Sequence, residues 1–259
     1  MKELIEYCEK LIVEAGETLL RQMVSVSKHK TANDLLTEND LLIENFLVQA
    51  IVKKFPDVNI ISEESNANRA LTGLSVVIDP IDGTCNYAVG TERYGIQMAI
   101  FDGMVCVAAY LYFPVQKTLV HAIKGKGAYC NGTRIAINAE QSSQDGMLLI
   151  SDYYGNIEIS IDKQFDLVKN LQPTFLKTRH YGAACVDFSE IALGRAVAYI
   201  CYYYHIWDIA PGLLVAEECG CVYSHISGNQ YGYGIPGLVV ANNQKTLDTI
   251  IHTYHKLNR

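Results

Sequence analysis

The chain has no excess of basic residues: 21 Lys and Arg stand against 28 Asp and Glu, a net charge of −7. That balance argues against a nucleic-acid groove or an anionic membrane surface as a partner. It leaves room for a small phosphorylated substrate, because a metal can supply positive charge locally. There is no apolar stretch of membrane-spanning length, no low-complexity tract and no internal repeat. The N-terminus mixes Glu and Lys with apolar residues at helical spacing, which does not read as a secretory signal. No CxxC pair occurs among the eight cysteines, and Cys219-x-Cys221 with only scattered histidines is not a zinc pattern. The cysteines read as reduced, mostly structural thiols of a cytoplasmic protein.

What is present is core-forming material. At 49% apolar and 19% charged, 259 residues can bury a large interior, as one big domain or two tightly packed halves. Leu4, Ile5, Cys8, Leu11, Ile12, Ala15, Leu19 and Met23 recur at helical spacing, so residues 2–24 read as an amphipathic helix. Ser27 to Asn33 reads as a loop. A second helix is expected from Glu38 to Lys54, with Thr37 as N-cap, Asp40 in its first turn, and Leu42, Ile43, Phe46, Leu47, Ala50 and Ile51 as its apolar face. Strand-like runs follow at Val58–Ser62, Leu74–Ile78, Gly95–Phe101, Met104–Phe113 and Thr118–Ile123. Turn signals between several of them suggest an antiparallel meander. The polar stretch Asn138–Gly146 reads as a junction, dividing the chain into halves 1–142 and 143–259. Beyond it, strands at Met147–Ser151, Ala196–Tyr204 and Val239–Ala241 alternate with helices at Gln164–Asn170, Ala183–Leu193, Pro211–Cys219 and Lys245–Leu257. That order predicts a layered α/β fold with helices between and outside the sheets.

Three constellations bear on chemistry. Asp79-Pro80-Ile81-Asp82-Gly83-Thr84 directly follows a buried strand and packs two carboxylates and a hydroxyl into six residues. Acids at a strand end stand on a rigid platform where a hard cation can bind, although Asp and Gly are also ordinary turn residues. Gly83 permits a tight turn in which successive N–H groups face an anion. Ser62-Glu63-Glu64-Ser65 follows another strand and reads as a solvated loop, unless that strand lies beside Leu74–Ile78 and brings Glu63 to Asp79. The third, His205-Ile206-Trp207-Asp208-Ile209-Ala210-Pro211, sets Asp208 just before a helix with Pro211 in its first turn, and by itself reads as a plain Asp N-cap.

Together these elements resemble the inositol monophosphatase family of Mg2+-dependent, lithium-sensitive sugar phosphatases. The resemblance extends to Asp34-Leu35-Leu36-Thr37-Glu38-Asn39-Asp40, to Lys124-Gly125-Lys126-Gly127-Ala128-Tyr129-Cys130-Asn131-Gly132 and to Val240-Ala241-Asn242-Asn243, so it covers nearly the whole chain. It implies the αβαβα layering of that family, a homodimer, and phosphate-ester hydrolysis by a metal-activated water. It also implies two or three Mg2+ ions, with Mn2+ as a substitute and Li+ as an inhibitor. By resemblance, Glu63, Asp79 and the Ile81 carbonyl hold one ion, and Asp79, Asp82 and Asp208 a second. Glu63 and Thr84 orient the water or take its proton, Asp40 backs Thr84, and the Gly83 and Thr84 N–H groups bind phosphate oxygens. Lys30 reads either as a charge near the site or as a solvated loop lysine.

Substrate recognition departs from the family's pattern. Where the family commonly carries a glutamate seven residues before the Trp-Asp aspartate, this chain has Cys201, a poor acceptor. The Gly-Thr-Ala stretch that contacts inositol is Gly182-Ala183-Ala184 here. Tyr202-Tyr203-Tyr204 reads as strand packing. The expected substrate is therefore a small phosphorylated metabolite, inositol monophosphate or a related polyol or sugar phosphate. Rival readings are a 3′-phosphoadenosine 5′-phosphate or fructose 1,6-bisphosphate phosphatase, or a silent metal- or partner-binding homologue. Against the nucleotide branch, Cys85-Asn86-Tyr87 is nearer to the inositol branch's Thr-Asn-Phe than to Lys-Glu-Phe, and against silence every expected carboxylate is present.

Overall fold

Two amphipathic helices lie on one face of the molecule, α1 (Lys2–Leu20) and α2 (Glu38–Lys54). The computed structural model describes residues 1–23, 28–31, 34–153, 155, 159–202 and 205–257. α1 ends at Leu20 and not at residue 24, because Leu19 is the last side chain with core to pack against: it is buried, whereas Met23 is 90% exposed. α2 has its expected bounds. Its N-cap is a capping box: the Thr37 side chain accepts from the Asp40 N–H, and the Asp40 carboxylate accepts from the Thr37 N–H. The buried stripe of α2 is narrower than expected. Ile43, Leu47 and Ile51 are buried, while Leu42, about 100° round the helix, is exposed. Between the helices, β1 (Lys28–Thr31) and β2 (Asp34–Leu36) pair antiparallel where the sequence suggested only a loop. Ser27 and Asn33 of that loop lie outside the described residues, as do Tyr203, Tyr204 and the side chain of Lys30.

A seven-stranded sheet follows in sequence order: β3 (Asn59–Ser62), β4 (Leu74–Asp82), β5 (Gly95–Asp102), β6 (Val105–Phe113), β7 (Thr118–Ile123), β8 (Gly127–Cys130) and β9 (Thr133–Ile135). β3 and β4 are parallel, and the rest form the expected antiparallel meander. β4 runs on to Asp82 instead of stopping at Ile78. Pro80 has no N–H for a ladder bond, yet it is tolerated in this central strand because the register shifts between Asp79 and Asp82. The short helix α3 (Thr84–Ala88) starts immediately after the strand.

The second sheet has five strands in the order β11-β10-β12-β14-β13. These are β10 (Met147–Ile150), β11 (Lys177–Arg179), β12 (Ala198–Cys201), β13 (Val222–His225) and β14 (Leu238–Ala241). Its helices are α4 (Ile161–Leu171), α5 (Ala184–Ala192), α6 (Ile206–Cys219) and α7 (Gln244–Leu257). α6 begins earlier than expected, so Asp208 lies inside its first turn and Pro211 in its second. The cause is the Asp208 carboxylate, which accepts from the His205 N–H at 2.8 Å and closes a turn ahead of the proline. Pro211 forfeits only the bond it would have donated to the Trp207 carbonyl.

Alternation along the strands sorts the layers. Val76 and Ile78 of β4 face α1 and α2. Val77 faces α5 and α6, in a cluster that also takes Leu149 of β10 and Tyr199 of β12. Leu148 and Ile150, on the other face of β10, meet Leu167 of α4 and Ile250 of α7. The result is the expected helix–sheet–helix–sheet–helix stack. Its inner helices pack closely, since a Cβ on Gly212 of α6 would lie 2.1 Å from the Phe188 ring of α5.

Candidate active site

The parallel pairing of β3 with β4 sets Ser62 opposite Ile78, so the next residues, Glu63 and Asp79, fall side by side. The Glu63 N–H donates to the Ile78 carbonyl at 3.2 Å and holds the turn against β4. The condition that made Glu63 interesting in the sequence is met. α6 brings Asp208 from the far half of the chain. One carboxylate oxygen each from Asp79, Asp82 and Asp208 lies within 4.8 Å of the other two. Glu63 is not one of this tight trio, but its charge acts on all three.

The electrostatics are those of mutually repelling acids. Burial pushes the Asp79 carboxyl well above the usual carboxylate range, and Glu63, Asp82 and Asp208 push it further. Asp208 is raised by burial, then by Asp82 and Glu63. Asp82 is pushed up to about 6 by burial, a rise that hydrogen bonds from Cys185 and Ala184 hold down. None of the ion pairs among the described residues involves Asp79, Asp82 or Asp208. Buried, mutually repelling oxygen donors are the set that Mg2+ prefers, so the residues present fit a hard divalent cation.

Second partners fix each acid. Asp79 Oδ1 accepts from the Ile81 N–H at 3.1 Å. Asp82 Oδ2 accepts from Gln97 Nε2 at 3.0 Å and from the backbone N–H of Cys185, in the first turn of α5, where a helix terminus favours negative charge. Gln97 Nε2 also lies 3.4 Å from the Asp208 carbonyl, so one amide on β5 braces both halves of the cluster. Thr84 Oγ1 lies 2.9 Å from the Ile81 carbonyl and 3.2 Å from Asp40 Oδ1. Asp40 is fully buried and its carboxyl is raised, chiefly by burial, while its other oxygen accepts from both the backbone and the hydroxyl of Thr37. Glu44, one turn further along α2, accepts the Glu64 N–H at 2.7 Å and so fixes the Glu63–Glu64 turn.

Sequence reasoning missed Gln97 and Glu44. Both left a trace: Gln97 is a polar residue inside an apolar strand, and Glu44 is an acid one turn after Asp40, beside the apolar stripe of α2.

Gly83 follows the acids with φ 86, and a Cβ there would meet Ala183 Cβ at 2.8 Å and the Arg93 carbonyl at 3.0 Å. Only glycine avoids that crowding, and the two halves of the chain touch at this point. Gly182, at φ +70, and Ala183 lead into α5, tethered by Asn86 Nδ2, which donates to the Tyr181 carbonyl at 2.7 Å. Ala184 is buried at the start of α5. Cys201 ends β12 at 2% exposure, and burial, then the charge of Asp208, raises its thiol well above the ordinary range. Trp207 stacks on His205 with centroids 4.5 Å apart.

Comparison with known proteins matches the architecture. The family model described as "Inositol monophosphatase family" matches residues 1–259. The chain is 31% identical to inositol-1-monophosphatase of Bacillus subtilis (strain 168), covering 97% of this chain and 96% of that one. It is 30% identical to a putative Nus factor SuhB of Neisseria meningitidis serogroup B, covering 90% of each. Among solved structures, a Thermotoga maritima IMPase superposes with a TM-score of 0.88 at 24% identity, over 99% of this chain and 98% of that one. An IMPase/NADP phosphatase complexed with Mg2+ and phosphate superposes with a TM-score of 0.81 at 26% identity, over 97% and 94%.

Proposed function

The chain belongs to the inositol monophosphatase family and is a phosphatase, and from that premise we propose that it hydrolyses a small phosphate monoester, inositol monophosphate or a related polyol or sugar phosphate. The observation that carries this reading is the convergence of Asp79, Asp82 and Asp208 within 4.8 Å, the first two buried and the third half-buried, without a cationic partner among the described residues. In this reading Asp79, Asp82, Asp208, Glu63 and the Ile81 carbonyl hold Mg2+. When bound, Mg2+ supplies charge neutralisation at the phosphoryl group and a lowered pKa for water.

The protein's own groups do the rest. The Thr84 hydroxyl has one proton for two acceptors. Donating it to Asp40 leaves the Ile81 carbonyl open to a cation and the Thr84 oxygen open to orient a water. Glu63 stands beside Asp79 and takes the proton that the water gives up. The N–H groups of Gly83 and Thr84 cradle phosphate oxygens, which the left-handed turn at Gly83 makes possible. Gln97 and the first turn of α5 hold Asp82 in place, so the acids need no rearrangement on loading. A cytoplasmic setting suits the eight free cysteines, and the homodimer implied by the resemblance belongs to the same reading.

Phosphate release from a panel of polyol, sugar and nucleotide phosphates, with and without Mg2+, tests it. The expected result is release that needs Mg2+ and favours a polyol or sugar phosphate. Metal-independent release, or none from any ester, would refute it.

A further inference from the structure

The last turn of α6 ends on two thiols that face each other. Cys219 is the final residue of the helix, Gly220 caps it in the left-handed region at φ 103, and Cys221 leads into β13. The Cys221 N–H folds back to the Ala216 carbonyl at 2.9 Å, and the Cys219 thiol reaches the same carbonyl at 3.2 Å. The two sulfurs lie 3.9 Å apart and share a hydrogen bond. Across such a turn the two Cα atoms are closer than the fully extended span of about 7 Å, a range that a disulfide bridges. Bringing the sulfurs to about 2 Å therefore asks for a change of side chains and helix cap, not of fold.

The pair is polarised. Cys8, Cys106, Cys185 and Cys201 are thiols that burial raises above the ordinary range. Cys219 runs the other way: a hydrogen bond from Cys221 lowers it in spite of its burial, and Cys221 is raised in return. The thiolate is the reactive form, so Cys219 suits the attacking sulfur and Cys221 the resolving one. Both keep a sliver of surface, 4% and 8%, where Cys8 and Cys185 have none, and a helix end opens more readily than its middle.

The same turn is an anchor. Glu218 accepts the N–H groups of Gly125 at 2.6 Å and Gly127 at 2.7 Å, and so holds the turn between β7 and β8. Glu217 pairs with Lys124 at 3.3 Å, and the Cys219 carbonyl accepts from the Ile137 N–H at 3.0 Å. At its other end the same helix carries Asp208. A change in the last turn therefore bears on the seating of the helix that delivers this acid.

We propose that Cys219 and Cys221 are an oxidative modification site, a dithiol that a hydroperoxide closes to a disulfide and a dithiol reductant reopens, loosening the anchor of α6 when closed. The Cys219 thiolate attacks the peroxide, the O–O bond breaks, and the sulfur becomes a sulfenic acid while the alkoxide or hydroxide leaves and takes up a proton. The Cys221 sulfur then attacks the Cys219 sulfur, the S–O bond breaks, and water leaves with the second proton. The two thiols lose two electrons and two protons, and the hydroperoxide is reduced to water and an alcohol, or to two waters. A bridge of this kind, transient and redox-sensing, is compatible with a reducing compartment. Because it closes a very short loop it constrains the unfolded chain little, so its effect follows from what it displaces in the folded one.

The test treats the reduced full chain with hydrogen peroxide, blocks the remaining thiols by alkylation, and locates the bridge by peptide fragmentation mass spectrometry. The expected result is a Cys219–Cys221 bridge, seen as the loss of two hydrogens with neither thiol alkylated, that dithiothreitol reverses. The oxidised chain should melt several degrees lower and release phosphate severalfold more slowly in Mg2+, and both changes should disappear on reduction. Cys221→Ser should keep the parent's activity through the same treatment and trap a sulfenic acid at Cys219, read with dimedone. Cys219→Ser should trap none at Cys221. Alkylation of both thiols after peroxide overturns the proposal, as does a bridge from either of them to Cys201. A bridge with unchanged melting and turnover overturns the coupling to α6, and an equal loss of activity in Cys221→Ser assigns the effect to another cysteine.

Discussion

Asp79 stands where four other acids act on it, and it is 1% exposed. Asp79→Asn keeps its size and an oxygen for the Ile81 N–H while removing the charge. The variant is expected to fold and to lose Mg2+-dependent phosphate release by at least about a thousandfold. Circular dichroism checks the first half and a phosphate assay the second, and turnover near the parent's would remove Asp79 from the ligand set. Gly83 is a different kind of residue, needed for its backbone. Gly83→Ala strains a turn at φ 86 and drives a methyl group to 2.8 Å from Ala183 Cβ. A loss of about 1–3 kcal/mol in chemical denaturation is expected, with activity falling further because the Gly83 and Thr84 N–H groups shift. At this scale the sequence was informative where chemistry is compressed into a short run, as in Asp79–Thr84. It left only a trace of Gln97 and Glu44, whose partners lie 15 and 20 residues away. A bond of that kind exists only once β5 has been laid beside β4, or α2 beside the β3 end.

Elements show where local signals suffice and where they do not. α2 was legible to the residue because its N-cap chemistry is local: Thr37 and Asp40 satisfy each other's backbone N–H groups. That box also holds Asp40 toward Thr84. Thr37→Ala should therefore cost about 1 kcal/mol of stability and lower kcat by a severalfold factor with little change in KM. Differential scanning calorimetry and steady-state kinetics separate the two effects, and a stability loss with unchanged kcat would reduce Thr37 to a helix cap. α6 was misjudged because an Asp followed by a proline is the usual signature of a helix start. The bond from the His205 N–H to Asp208 adds a turn before it, and the consequence is functional: the acid projects from a hydrogen-bonded helix instead of a frayed end. β4 was clipped at Ile78 because Pro80 argues against a strand, and only the register shift at Asp79–Asp82 reconciles the two. β8, β9, β11 and β13, three or four residues each, offered too few alternations to register.

At the scale of the whole molecule, the five-layer stack brings acids from residues 63 to 208 to one point, and their charge weighs on the folded state. The order β11-β10-β12-β14-β13 was not legible in the sequence, because pairing between distant strands is decided by packing against α4, α5, α6 and α7. What could be read was that acids from both halves must meet, and that meeting has a thermodynamic consequence. Asp82 titrates at about 6 in the folded protein against an ordinary value of 3.8, and Asp79 and Asp208 are also raised. The folded state thus holds protons that the unfolded chain has released. Stability is full below the unfolded value and declines as pH rises through about 6. The metal-free protein should accordingly melt at a lower temperature at about pH 7.5 than at about pH 5. Mg2+ binds the ionised acids and competes with those protons, so its stabilising effect should run the opposite way: several degrees at the higher pH and little at the lower. Asp79→Asn removes one of the repelling charges. It should raise the metal-free melting temperature at the higher pH and shrink the rise that Mg2+ produces. Melting curves of both proteins, with Mg2+ and with a chelator, provide the check. A parent whose metal-free stability rises across this pH interval would show that the cluster is neutralised by something other than protons or a divalent cation.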